Sequence, residues 1–408
     1  MYRSNSYPKS RKSKKLLVFL LIFLIVGYVL LVSLLPIKNI QPTIVYKPKI
    51  NNTYSPYTLP KQGSSLVFTE GFGELAAVND KETRPIASIT KIVTALTVLQ
   101  AKPLQAGEQG PTITLTESDA QILQHYQSIN GSTAPAPPGL KISELDALTT
   151  MLLPSANNYA DTLAIWAYGS QENFVVAANK FLQSNNLSES SLADASGFSP
   201  NSKSSAKDLI KLGQMALGNP VLKNIVNKKS AIIPGIGEIK NTNFLLANNG
   251  VIGIKTGNTD EAKKCLLFAA DYTINGQTIT VFSALLGQET FGDLATNSQA
   301  MFVSAQNNFF NSALIKKNDS IGEYKTPWGE STKIIASDDL YVVTWQNNIP
   351  ENQISANPIS TNNTNLQVGK ITSKSGTETK TTNLKIPNQL KGPSIIWRLT
   401  HPLKVLFS

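Results

Sequence analysis

Pro85-Ile86-Ala87-Ser88-Ile89-Thr90-Lys91-Ile92-Val93-Thr94-Ala95-Leu96-Thr97-Val98-Leu99-Gln100 is the stretch of this 408-residue chain from which the fold is best read. Ile89, Ile92, Val93, Leu96 and Leu99 recur at helical spacing, and Val98 and Ala95 widen the apolar face until it nearly encircles the helix. Such a helix belongs in the middle of a domain. Pro85 just upstream suits a helix entry and not an interior. Ser88 and Lys91 are three residues apart and therefore share one face within a turn.

That pairing has chemical content. A serine hydroxyl is a poor nucleophile at neutral pH unless a neighbour removes its proton, and a lysine does so only when uncharged. Burial and a second nearby cation both lower a lysine pKa. Lys255, in Lys255-Thr256-Gly257, is the candidate second cation. Between these two motifs lies Ser155-Ala156-Asn157, whose serine can relay a proton and whose asparagine can hydrogen-bond a substrate amide and Lys91. Lys255-Thr256-Gly257 closes an apolar strand, so its backbone can pair with an extended peptide. Gly257 permits close approach there, and Thr256 offers a hydroxyl to a terminal carboxylate. Short motifs also recur by chance. Ser6–Lys9 and Ser204–Lys207 fit Ser-x-x-Lys, Ser128–Asn130 and Ser184–Asn186 fit Ser-x-Asn, and Lys374-Ser375-Gly376 nearly copies the third motif.

The rest of the chain supplies a setting for a mixed α/β (α+β) domain. Ser65–Thr69 and Leu75–Val78, separated by Gly71 and Gly73, read as a hairpin. Helices are expected over 145–153, 158–166, 171–182 and 206–217. Strands follow over 251–255, 265–272 and 278–286, the last two joined by the turn signal Asn275-Gly276. A final helix is expected over 294–310. The order strand–strand–helices–strands–helix implies an antiparallel sheet built from both ends of the domain, with helices packed on both faces.

Composition narrows the alternatives. The net charge is +10, but six basic residues (Arg3, Lys9, Arg11, Lys12, Lys14, Lys15) and no acidic ones lie in the first fifteen positions. Without them the remaining 393 residues carry only +4, which argues against a nucleic-acid partner. Leu16 to Leu35 then forms an uncharged apolar run of twenty residues, enough to cross the roughly 30 Å hydrocarbon core of a membrane as a helix. A cleaved leader would carry a shorter apolar region, of about 7–15 residues, and a small-x-small site. An uncleaved anchor is therefore expected, with residues 1–15 in the cytoplasm and the folded part outside. One cysteine, Cys265, excludes an intrachain disulfide, and two histidines, His125 and His401, leave little for a Ser-His-Asp triad or a zinc site. No cofactor or metal is expected. The expected organisation is a basic segment 1–15, a transmembrane helix 16–35, an extended tether 36–60, a catalytic domain 61–315 and a C-terminal β-rich domain 316–408. Within that last domain, 333–337 with 340–345 and 367–374 with 377–385 read as hairpins. The tail 395–407 reads as an element closing the β domain or, alternatively, as one lying on a membrane.

The motif neighbourhoods resemble one family. Pro85–Lys91, Leu152-Leu153-Pro154-Ser155-Ala156-Asn157-Asn158 and Gly253-Ile254-Lys255-Thr256-Gly257-Asn258-Thr259-Asp260-Glu261-Ala262 are similar to the serine-type D-alanyl-D-alanine carboxypeptidases, the low-molecular-mass penicillin-binding proteins. Asn241–Leu246 and Ala193–Phe198 extend the likeness, which covers about residues 62 to 315. The resemblance implies a penicillin-binding transpeptidase/β-lactamase-like fold and, as substrate, a peptidoglycan stem peptide ending in D-Ala-D-Ala. It implies a Ser88 acyl-enzyme, Lys91 as base, Ser155 and Asn157 in the relay, Lys255 and Thr256 on the substrate carboxylate, and Ser88 and Asn258 N–H groups as the oxyanion hole. It also implies acylation by β-lactam antibiotics. Asn258 stands where the family more often has an aromatic residue or histidine. No arginine occurs in Gly276–Thr280, so carboxylate recognition falls to Lys255 and Thr256. Two rivals remain open: a β-lactamase, for which Glu189-Ser190-Ser191-Leu192-Ala193 lacks the Asn of a Glu-x-x-Leu-Asn motif, and a non-catalytic membrane-tethered sensor of muropeptides or β-lactams. Endopeptidase and transpeptidase variants share the chemistry on a different bond or acceptor.

Overall fold

The computed structural model describes residues 11–246, 250–361 and 364–407. The first ten residues, which carry Arg3, Lys9 and the chance motif at Ser6, lie outside the described residues. The chain divides into two compact units, one of residues 52–311 with 343–346 and one of residues 1–51, 312–342 and 347–408.

The larger unit is built on a five-stranded antiparallel sheet. Its order is Val251–Thr259, Lys263–Ile274, Gln277–Gln288, Ser64–Thr69, Gly73–Val78. Alternation along the central strands decides what each face meets. Cys265, Leu267, Ala269, Phe282, Ala284 and Leu286 enter the core shared with the helical lobe. Leu266, Phe268, Ala270, Tyr272, Ile279, Val281 and Leu285 face the helix Phe291–Gln306 through Leu294, Met301 and Phe302. Helices therefore cover both faces, as the order of elements implies. Asn275 and Gly276 take φ of 51° and 77°, the two positive values that a tight hairpin between twisted strands requires.

The helix Thr90–Ala101 runs through the helical lobe, with every residue from Thr90 to Leu99 buried. Glu144–Leu152, Asn157–Tyr168, Gln171–Ser184 and Ala206–Gly218 pack in the same cluster. Side-chain oxygens of Ser143, Ser170 and Ser205 cap three of them, satisfying N–H groups that a helix leaves unpaired. Several elements are absent from the sequence reading, among them helix Glu117–Ser128, helix Pro220–Val226 and the hairpin Ser230–Ile233 with Gly237–Lys240. The last expected helix ends at Gln306, and a strand, Phe309–Ile315, takes over its final residues.

The smaller unit holds a six-stranded antiparallel sheet ordered Pro42–Ile44, Ser320–Lys325, Ser331–Ala336, Glu378–Lys385, Gln367–Ser375, Glu351–Ala356. The hairpin across Ser375-Gly376 is present, with Ser375 opposite Glu378. The one read across Asp338-Asp339 is not: Ser331–Ala336 takes Ser320–Lys325 and Glu378–Lys385 as neighbours.

The region 36–60 is not a free tether. Pro42–Ile44 pairs with Gly322–Tyr324, Ile40 and Ile50 are buried in the strand-rich core, and the Tyr46 hydroxyl donates to the Leu314 carbonyl at 2.5 Å. Asn52 and Tyr57 belong to the larger unit, Asn52 donating to the Gln346 carbonyl at 2.6 Å and Tyr57 to that of Met301. Widely spaced apolar residues act here as individual anchors, and a sheet edge accepts a strand too short to leave a periodic pattern.

Helix Arg11–Leu34 is the one helix among the described residues that is long and apolar enough to cross a membrane. The tail forms two short helices, Ile395–Thr400 and Pro402–Phe407. Arg398 donates to the carbonyls of Val32, Ser33 and Leu35 at 3.3, 3.1 and 2.9 Å, and Tyr28 donates to the Leu399 carbonyl at 2.7 Å. The tail thus closes on the end of the apolar helix, whose last carbonyls lack intrahelical partners, as well as touching the β-rich unit by an edge contact of Trp397 with Trp328.

Removing residues 1–37 is expected to give a water-soluble chain with both units intact, since Ile40, the edge strand and Ile50 remain. Removing residues 1–60 strips two buried isoleucines, a loss of roughly 3–6 kcal/mol at ordinary burial values. Calorimetry should show a lower Tm for the strand-rich unit in the second variant only; equal Tm values would deny the strand a stabilising role.

Candidate active site

Ser88 sits in a single turn of 3-10 helix, Ala87–Ile89, that leads directly into Thr90–Ala101. Half-buried itself, it stands over a lysine with no exposed surface. The Lys91 amine lies 2.8 Å from Ser88 Oγ, 2.7 Å from Asn157 Oδ1 and 2.8 Å from the Ser196 carbonyl. Three acceptors match the three protons of a charged amine. They equally suit the neutral form, in which two N–H groups keep Asn157 and Ser196 and the lone pair receives the Ser88 proton. Burial pushes the Lys91 pKa down to about 7, against the opposing pull of Asp194 and Asp161. At neutral pH a large fraction of this amine is uncharged.

Ser155 and Lys255 form the other half. Lys255 Nζ donates to Ser155 Oγ at 3.0 Å and to the Thr256 carbonyl at 3.1 Å. Burial lowers the Lys255 pKa well below its ordinary value, and the charge of Lys91 pushes it further down. The coupling runs from Lys91 onto Lys255, the reverse of the expected direction: Lys255 is not among the groups that shift Lys91. Thr256 shares a 2.7 Å hydrogen bond with the Thr242 hydroxyl. Asn258 is exposed and accepts from Lys264 Nζ at 2.6 Å.

The backbone is forced where the halves meet. Ala87 and Ser155, neither a glycine, hold φ of 46° and 66°, left-handed conformations that cost of order 1–3 kcal/mol each and persist where surrounding structure imposes them. Ser155 adopts its turn between Glu144–Leu152 and Asn157–Tyr168, so one short link places its hydroxyl and also starts the helix that carries Asn157. Gly257 is required for a reason different from the sequence reading. A Cβ there would lie 2.6 Å from the Ile86 carbonyl, so the glycine lets strand Val251–Thr259 close on the segment bearing Ser88. That strand is an edge of its sheet, the position at which an added strand can pair.

The chance motifs are scattered elsewhere. Lys207 pairs with Glu74 at 3.3 Å, Ser128 and Ser184 end helices, and Lys374–Gly376 sits at the hairpin of the strand-rich unit. Glu189 accepts from Ser205 at 3.1 Å and lines a cavity with Glu74, Lys207 and Gln214, so it does not stand beside Ser88. Cys265 is fully buried and its thiol contacts the Ala262 carbonyl at 3.3 Å. No metal-ligating cluster occurs among the described residues. Behind Lys91 stand Ser196, Asp194, Asp161 and Tyr126; the segment Ala193–Phe198 extends the family likeness, but the sequence reading gives no role to Asp194 or Ser196 and misses Asp161 and Tyr126. A signal for the helix that holds Tyr126 is Thr116 with Asp119, which form a capping box at its start.

Known proteins resemble this chain in sequence and fold. A family model for D-alanyl-D-alanine carboxypeptidase matches residues 70–289. The D-alanyl-D-alanine carboxypeptidase DacA of Escherichia coli K12 is 30% identical over 222 residues, 53% of this chain and 53% of that protein. The chain thus spans about half the length of this relative. The D-alanyl-D-alanine carboxypeptidase of Streptomyces sp. K15 is 31% identical over 215 residues, 48% of this chain and 70% of that protein. Penicillin binding protein 5 from Haemophilus influenzae shares the fold, with a TM-score of 0.58 at 21% identity over 83% of this chain and 100% of that one.

Substituting Gly257→Ala is expected to push the edge strand off the Ile86 carbonyl and slow acylation by a fluorescent penicillin by at least about tenfold, since angstrom misplacements at a reacting centre have that scale of effect. Stopped-flow labelling together with a thermal melt separates displacement from unfolding; a wild-type rate would show the close approach to be dispensable.

Proposed function

Because the chain belongs to the D-alanyl-D-alanine carboxypeptidase family, we propose that it removes the terminal D-Ala from peptidoglycan stem peptides through an acyl-enzyme on Ser88. The observation that carries this reading is the buried Lys91 amine 2.8 Å from Ser88 Oγ, with a pKa near 7. A stem peptide adds along the edge of Val251–Thr259, its carboxylate toward Thr256 and Lys255. Neutral Lys91 takes the Ser88 proton as Oγ attacks the penultimate D-Ala carbonyl. The N–H groups of Ser88 and Asn258 hold the oxyanion, each such donor contributing roughly 3–4 kcal/mol in comparable enzymes. Ser155, held by Lys255, gives its proton to the departing D-Ala amine and takes in its place the proton that Lys91 removed from Ser88, which leaves Lys91 neutral again. Water then attacks the ester by the same proton route in reverse and frees Ser88. A β-lactam presents a similar carbonyl and carboxylate but keeps its leaving group tethered, so the acyl-enzyme persists.

We further assign the helix Arg11–Leu34 as a membrane anchor, with the basic N-terminus in the cytoplasm and the catalytic unit on the outer side. The basic residues before the apolar run support that orientation.

Ser88→Ala should abolish penicillin labelling with little change in Tm, and persistent labelling would mean that another serine is acylated. Since Lys91 must be neutral, the acylation rate should rise with pH through about 7 and level off above; a flat profile from pH 5 to 9 would remove Lys91 as base. Mass spectrometry of the chain lacking residues 1–37, given a D-Ala-D-Ala pentapeptide or benzylpenicillin, tests the overall reading. Loss of one D-Ala with a long-lived penicillin adduct is expected. Rapid penicillin turnover would favour a β-lactamase, and an adduct with no peptide turnover a sensor.

A further inference from the structure

The third acceptor of Lys91 is a backbone carbonyl, and one carboxylate holds the turn that presents it. Asp194 Oδ1 accepts from Gly197 N at 3.1 Å and Ser202 Oγ at 2.5 Å, while Oδ2 accepts from Ser196 Oγ at 2.9 Å, Phe198 N at 2.8 Å and Ser199 N at 3.1 Å. Five donors from four consecutive residues and Ser202 converge on these two oxygens. The loop is tied to the nucleophile helix as well, Thr94 Oγ1 donating to the Ala195 carbonyl at 2.6 Å. Gly197, at φ of 74°, turns the chain where a Cβ would strike the Ala87 carbonyl, next to Ser88. The Ser196 carbonyl is fixed as a result, and Lys91 donates to it at 2.8 Å.

We propose that Asp194 is a positioning residue for the Ser88–Lys91 pair: it clamps the 196–202 turn so that the Ser196 carbonyl orients the amine toward Ser88, and it places a negative charge behind that amine. The inference rests on the reading of Lys91 as the base. Its charged and titratable surroundings come from four elements. Lys255 faces it from the edge strand, Asp161 from helix Asn157–Tyr168, Asp194 from the loop, and Tyr126 from helix Glu117–Ser128. The Tyr126 hydroxyl lies 2.9 Å from Asp161 Oδ2 and 3.1 Å from Ser196 Oγ, joining both acids to the loop. Burial raises the Asp161 pKa to about 6 and keeps the Tyr126 phenol neutral. Of the charges that hold the proton on Lys91, Asp194 is the foremost. Burial favours the free base, and Asp194 and Asp161 oppose it.

The sign of its removal follows. Asp194→Asn keeps the shape and one acceptor oxygen but deletes the charge, so Lys91 loses its proton more readily. In the full chain in detergent, the acid limb of acylation by a fluorescent penicillin should move to lower pH by roughly one unit. The plateau should fall severalfold as the carbonyl loses part of its clamp. An acid limb left in place, whatever the plateau, would overturn the proposal, because a purely structural role lowers the rate without moving the titration. Absence of any acid limb in the unsubstituted chain would instead sink the reading of Lys91 as base. If Asp194→Asn does not fold, Ser202→Ala tests the same clamp: it withdraws one donor, keeps the charge, and should lower the plateau severalfold with the limb unmoved. A wild-type plateau in that variant would equally overturn the assignment.

Discussion

The site depends on keeping an ammonium-forming group out of water and close to neutrality. An isolated buried lysine would simply lose its proton and its hydrogen bonds; a well-paired one would keep the proton and be useless as a base. Lys91 lies between these limits. It has no exposed surface, yet all three of its hydrogen-bonding directions are occupied, by Ser88, Asn157 and Ser196. Burial and the two acids behind it pull in opposite senses, leaving its pKa near 7. On the proposed reading, a lysine in this condition removes the need for the histidine of a triad; His125 meets Tyr126 edge-on, and His401 stacks on Trp397 in the tail.

Holding that balance demands a rigid surround, and the backbone records the demand. The nucleophile turn, the Ser155 link and the 194–202 loop come from three separate parts of the lobe, and each contains a residue at positive φ: Ala87, Ser155 and Gly197. Gly197 and Gly257 both stand against carbonyls next to Ser88, those of Ala87 and Ile86. The turn carrying the nucleophile is thus pressed from the loop on one side and from the sheet edge on the other. Close packing of this kind transmits small shifts to the reacting atoms, and glycine at the two contact points is what the spacing allows.

The sequence made much of this legible because the strongest constraints are local or periodic. The apolar encirclement of Lys91 is visible in the spacing of Ile89, Ile92, Val93, Leu96 and Leu99, and the Asn275-Gly276 turn is visible in two letters. What escaped reading depends on tertiary partners. Asp194 lies in a segment that the family likeness marks, but its role shows only when five donors are seen to converge on it, three of them backbone N–H groups that carry no sequence identity. The helix Glu117–Ser128 buries only Tyr126 outright, too little to leave an apolar stripe. Residues 36–60 look like a linker because proline and asparagine dominate between isolated anchors such as Ile40 and Ile50. The tail escaped for a related reason: its docking rests on Arg398 and the open carbonyls of a helix more than 360 residues away.

Recognition and chemistry share one piece of backbone in this arrangement. Strand Val251–Thr259 carries Lys255 toward Ser155 on its buried side, while its outer edge is the position at which an extended peptide can pair. A ligand that adds to the edge is therefore registered against the same residues that tune the amine, and a slip of one residue along the strand would exchange the faces presented to it. Register is set by the Gly257 contact with Ile86, which fixes the strand relative to Ser88, and by Thr256, whose hydroxyl is already oriented by Thr242. On the proposed reading, binding in the correct register would bring a carbonyl over Ser88 and a carboxylate beside Lys255. The added negative charge would stabilise the protonated form of that second lysine. A ligand carrying a terminal carboxylate would thus bear on both lysines, which links the specificity of the strand to the reactivity of the helix.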